Sequence, residues 1–74
     1  MIKMKISISE KAIGKNIKRM RNKLNLSQEE LAIKAGVKYS NLVKIENSVI
    51  GKPTVYTVYR IAKALDTTVE KLIE

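Results

Sequence analysis

The sequence contains neither cysteine nor histidine. The first absence excludes a disulfide scaffold. Together they remove zinc sites and the Cys and His routes to nucleophilic catalysis. No metal, cofactor or catalytic residue is expected. No apolar run approaches the length of a membrane span. The opening ten residues, MIKMKISISE, alternate apolar with polar side chains instead of forming the continuous apolar core of a signal peptide. A cytoplasmic protein with no membrane partner is the expectation. At 74 residues the chain is expected to be a single domain near the lower size limit for folding without disulfides or metal. It therefore needs efficient helices or a partner. No linker or internal repeat divides it.

Negative charge is also scarce: 7 acidic residues stand against 15 basic ones, a formal charge of +8. Such an excess speaks to association and points to a polyanionic partner. The excess is lopsided. Residues 1–26 hold Lys3, Lys5, Lys11, Lys15, Lys18, Arg19, Arg21 and Lys23 against Glu10 alone, and the remainder is nearly balanced.

The stretch Ser27 to Asn47, SQEELAIKAGVKYSNLVKIEN, organises the rest. Ser27 and Glu30 have the Ser-x-x-Glu spacing of a capping box, which fixes a helix start at Gln28. Leu31, Ala32 and Ala35 form one apolar face, and Gly36 stands where a left-handed residue would end the helix. Val37, Leu42 and Ile45 supply apolar positions to a second short helix whose opposite face carries Ser40, Val43, Lys44 and Asn47. Two short helices joined by a tight glycine turn form a helix-turn-helix.

Upstream, Ile13, Ile17, Met20 and Leu24 recur at helical spacing from about Glu10 and predict a buried stripe. Lys11, Lys15, Lys18, Arg19, Asn22 and Lys23 lie off it, most of them on a solvated face. Downstream, Thr54 after Pro53 is an N-cap for a helix with a core stripe of Val55, Val58, Ile61, Ala62 and Leu65. Thr68 caps a last turn or two through Val69, Leu72 and Ile73. Near the N-terminus Ile2, Met4, Ile6 and Ile8 alternate with Lys3, Lys5 and Ser7. This period of two suggests a strand with no neighbour in the chain: an arm, a tail or a pairing between protomers. The expected division is an arm over residues 1–8 and a helical domain over 9–74.

Ser27-Gln28-Glu29-Glu30-Leu31-Ala32, Gly36-Val37, Leu42, Ile45-Glu46-Asn47, Pro53-Thr54 and Arg60-Ile61-Ala62-Lys63-Ala64-Leu65 resemble the DNA-binding domain of the phage-repressor and Cro type, a family of small bacterial and phage transcriptional regulators. With Ile13-Gly14 and Arg21, the resemblance covers roughly residues 12–73. It implies an all-α, lambda-repressor-like domain of five short helices that places the helix after Gly36 in the major groove, where each base pair shows a distinct donor and acceptor pattern. Carried over by position, Lys38, Tyr39, Ser40, Asn41 and Lys44 are the expected base-edge readers, with Val43 able to touch a thymine methyl. Gln28, Asn47 and Lys52 match phosphate-contacting positions. Arg21 and Glu46 match a structural ion pair between the first helix and the recognition helix.

The chain departs from the family at several places. Lys38 stands where a capping serine or threonine is usual, against the positive end of the helix dipole, at a cost of about 0.3 to 1 kcal/mol. Asp66 replaces a usual glycine, which is tolerable because aspartate enters left-handed conformations more readily than most residues. Val49 and Ile50 replace polar or basic loop residues, and with Tyr56 they suggest a dimer interface. Ile33 is apolar at a position normally exposed. The expected function is a repressor that binds an inverted-repeat operator in double-stranded DNA as a homodimer, with no small-molecule ligand. The alternative is a protein-interaction module of the same fold, of antitoxin or coactivator type. A basic membrane-surface peptide would fit the first helix in charge but lacks bulky aromatic anchors and leaves the later helices unexplained.

Overall fold

The computed structural model describes residues 10–74. The alternating segment read as a strand or arm lies outside the described residues. Among the described residues there are five helices and no strand: α1 (Glu10–Lys23), α2 (Gln28–Ala35), α3 (Tyr39–Glu46), α4 (Val55–Ala64) and α5 (Val69–Ile73).

Helix starts follow the capping residues. Ser27 Oγ accepts from the Glu30 N–H at 3.0 Å while Glu30 Oε1 accepts from the Ser27 N–H at 2.8 Å, closing the capping box of α2. Thr54 and Thr68 accept from the backbone N–H groups of Thr57 and Lys71 in the same way.

Four helix ends share one device. A residue at positive φ, Asn25 (57°), Gly36 (69°), Ser48 (62°) or Asp66 (57°), turns the chain back. The next N–H then bonds the carbonyl five residues earlier: Leu26 to Arg21, Val37 to Ala32, Val49 to Lys44 and Thr67 to Ala62. These are Schellman closures, which satisfy carbonyls that a helix end leaves orphaned. Only one uses glycine. Asn25 and Asp66 are the side chains best suited to the left-handed region, and Ser48 bears the larger strain.

The core comprises Ile13 and Ile17 of α1, Leu31, Ala32 and Ala35 of α2, Leu42 and Ile45 of α3, Val58, Ile61, Ala62 and Ala64 of α4, and Leu65 and Leu72. Ile17, Leu31, Leu42, Ile45, Ile61 and Leu72 are fully buried, each stabilising the fold by roughly 1.5 to 3 kcal/mol. Helix α1 packs on α3 and α5, α2 on α3 and α4, and α4 on α5. The Asn16 amide, donating to the Leu72 carbonyl at 2.8 Å, ties α5 to α1.

Two expected core residues are exposed. Leu24 lies beyond the end of α1, where the turn at Asn25 carries it outward, and Leu26 packs against the core instead. Val55 is the first residue of α4 and projects past the layer beneath it, 69% exposed.

Candidate nucleic-acid interface

Helix α3 buries Leu42, Ile45 and Glu46 and turns Tyr39, Ser40, Asn41 and Lys44 to solvent, with Val43 half-buried. Lys38 is the N-cap residue in extended backbone conformation and makes no side-chain cap bond, so its ammonium stays available at the leading end of the helix. Asn47 and Lys52 are exposed beyond the other end. Lys52 lines a shallow cleft of about 200 Å³ with Asn41, Pro53, Thr54 and Thr57, between α3 and the start of α4. The outward side of α3 thus carries cations, a hydroxyl, an amide and a phenol. Its sole carboxylate, Glu46, is turned inward.

Glu46 meets Arg21 in a buried, bidentate ion pair. Arg21 Nε donates to Oε2 at 2.8 Å and Nη2 to Oε1 at 2.9 Å, while Nη1 donates to the Leu26 carbonyl at 2.8 Å. The guanidinium therefore joins α1, the turn after it and the last residue of α3. The approach is close because Gly14 of α1 lies against the carbonyls of Ile45 and Glu46. Gln28, half-buried as the first residue of α2, donates from Nε2 to Glu46 Oε1 at 3.3 Å. Sequence reasoning missed this third member. No spacing rule links residues 28 and 46, which the fold alone brings together.

The loop residues divide. Val49 and Tyr56 are 72% and 76% exposed, and Val55 and Tyr59 extend the same exposed apolar character along α4. Ile50 is half-buried and packs partly against the core. Ile33 is 81% exposed on α2, in a groove shared with Glu29, Ala32, Val37 and Tyr39. The Glu30 carboxyl is held below its ordinary value of 4.5, first by the Ser27 backbone N–H and then by the Ser27 hydroxyl.

A family model described as helix-turn-helix matches residues 17–72. The chain belongs to the helix-turn-helix family of repressor type. Among solved structures, the biofilm master regulator SinR in complex with DNA is 35% identical with a TM-score of 0.81, the match covering 84% of this chain and 98% of that one. The N-terminal DNA-binding domain of SinR from Bacillus subtilis is also 35% identical, with a TM-score of 0.82 and coverage of 84% and 90%. The restriction-modification controller protein C.AhdI from Aeromonas hydrophila is 25% identical, with a TM-score of 0.80 and coverage of 85% and 94%. Among curated proteins, none is similar enough to count as a match. The fold is thus that of helix-turn-helix DNA-binding regulators. No helix among the described residues is long and apolar enough to cross a membrane.

Proposed function

We propose that the protein is a sequence-specific transcriptional regulator, acting as a repressor in the cytoplasm, that binds an inverted repeat in double-stranded DNA as a homodimer. The observation that carries this is the outward side of α3, where Ser40 and Lys44 project between Tyr39 and Asn41 and Lys38 leads the helix, with no exposed carboxylate among them. An α-helix fits the major groove, and these groups match its edges: lysine donates to guanine O6 and N7, asparagine pairs with adenine, and serine serves several bases. Gln28, Asn47 and Lys52 flank that helix and would hold backbone phosphates, fixing register without reading sequence. SinR, whose domain is similar over most of this chain, was solved in complex with DNA. Val49 and Tyr56 supply apolar area for pairing two protomers. No chemistry on a substrate is proposed, because the one buried carboxylate among the described residues is already engaged by Arg21 and Gln28.

Selection of bound sites from random duplexes tests this reading. The expected result is a dyad-symmetric site with half-sites centred about 10 to 10.5 base pairs apart, or a multiple, since paired recognition helices must meet one face of the duplex. Affinity should fall with salt at about −0.9 per phosphate neutralised on a logarithmic scale. The exposed apolar residues Val49, Tyr56 and Tyr59 favour a second reading, a protein-interaction module of the same fold. A flat salt dependence and no selected site would favour that module.

A further inference from the structure

We propose that Glu46 is a positioning residue for DNA binding, whose Oε1, fixed by Arg21, holds the amide of Gln28 in the orientation that meets a backbone phosphate. The inference rests on the reading of Gln28 as a phosphate contact. Gln28 opens α2, where the first-turn N–H groups have no partner within the helix and the dipole favours an anion. Its side chain is not left to search. The 3.3 Å bond to Glu46 restrains it before any ligand arrives, so that less freedom is lost when a phosphate is bound.

The bond also sets the hand of the amide. An ionised carboxylate only accepts hydrogen bonds, so the NH₂ must face Glu46. One N–H of Nε2 then points to Oε1 and the other remains for a phosphate oxygen. The flipped amide would set its carbonyl oxygen against two anions at once. Arg21 supplies the other half of the arrangement. A bare carboxylate beneath a phosphate site would repel it, whereas the bidentate guanidinium, anchored on the Leu26 carbonyl, neutralises Glu46 in place. The ion pair that joins α1 to α3 thereby reaches the DNA surface through one glutamine.

The sequence contains a single glutamine, so glutamine labelled with ¹⁵N at the side-chain amide reports on Gln28 alone. In the unmodified protein without DNA, the amide is expected to be ordered, with an order parameter near the value of about 0.85 typical of rigid backbone; a value below about 0.6 would overturn the proposal. Binding to the selected operator gives the functional arm. Gln28→Ala should weaken binding roughly tenfold, as expected for one charge-assisted hydrogen bond. The paired replacement Arg21→Met with Glu46→Met removes both charges together and should keep the fold, as denaturant melts would check, while weakening binding to a similar degree. Adding Gln28→Ala to that background should then cost less than about a further twofold. An undiminished tenfold effect of Gln28→Ala in the Met background would show that Glu46 does not position it. No effect of Gln28→Ala in the unmodified protein would instead remove the phosphate contact itself, and the proposal with it.

Discussion

Gly14→Ala sets a gain in helix propensity against a collision, and the geometry decides the sign. Alanine is better than glycine in a helix interior by about 1 kcal/mol. A Cβ at position 14, however, would stand 2.4 Å from the Ile45 carbonyl oxygen and 2.8 Å from that of Glu46. Carbon and oxygen ordinarily meet no closer than about 3.3 Å, so α1 must withdraw by close to an ångström. Neither obstacle can rotate away, because both are backbone atoms at the end of α3. Withdrawal also loosens Ile13 and Ile17 from the core and stretches the Arg21 bonds to Glu46. Overpacking of this kind costs about 1 to 3 kcal/mol and sometimes more, and a rigid obstacle belongs at the upper end. Net of the helix gain, a loss of about 2 kcal/mol is expected. That is a substantial share of the roughly 4 to 11 kcal/mol typical of a domain this size. Urea melts followed by circular dichroism measure it. A variant as stable as the parent, or more so, would refute the close packing of α1 on α3.

Gly36→Ala makes the contrasting case: nothing lies within 4 Å of its Cβ, so only the left-handed φ of 69° opposes the substitution, at about 1 to 2 kcal/mol; no loss in the same melts would contradict this. Arg21→Ala and Glu46→Ala should each cost about 3 to 5 kcal/mol by stranding a buried charge, with the double variant losing less than the sum. Additive losses below a kilocalorie would mark the pair as inconsequential. For Glu30, whose carboxyl is held below its ordinary value, the capping contribution is complete above pH 4.5 and lost as pH falls through the lowered folded value. The stability difference between the parent and Glu30→Gln should accordingly persist at neutral pH and shrink in acid. A difference independent of pH would show that the carboxylate adds nothing as an anion.

The helix starts were legible because hydroxyl caps sit immediately before them, and Ser27 with Glu30 wrote the start of α2 twice over. The ends were less so. Gly36 announces a left-handed turn by composition, and Asp66 was marked only by standing at the family's glycine position, while Asn25 and Ser48 adopt the same conformation with weaker signals. Missing Asn25 extended the α1 stripe one residue too far and placed Leu24 in the core. Val55 shows the limit of periodicity, since it fits the stripe of α4 yet sits at the helix start, where no facing element covers it. At the interface, the outward positions of Ser40, Lys44 and Asn47 follow from the helical period once Leu42 and Ile45 are set inward. The pairing of Arg21 with Glu46 came only through family resemblance, since two charges 25 residues apart carry no local signature, and their burial came only from the structure.

Base reading by α3 is the central claim, and alanine substitutions scored on the selected operator test it most directly. Lys44→Ala and Ser40→Ala should each cost about 1 to 3 kcal/mol and relax base preference at one position per half-site. Lys52→Ala should weaken all duplexes alike and lower the salt slope by about one unit, because a phosphate contact carries charge without sequence. If alanine at Lys38, Tyr39, Ser40 and Lys44 leaves the selected base pattern untouched while the fold survives, then α3 is not where sequence is read.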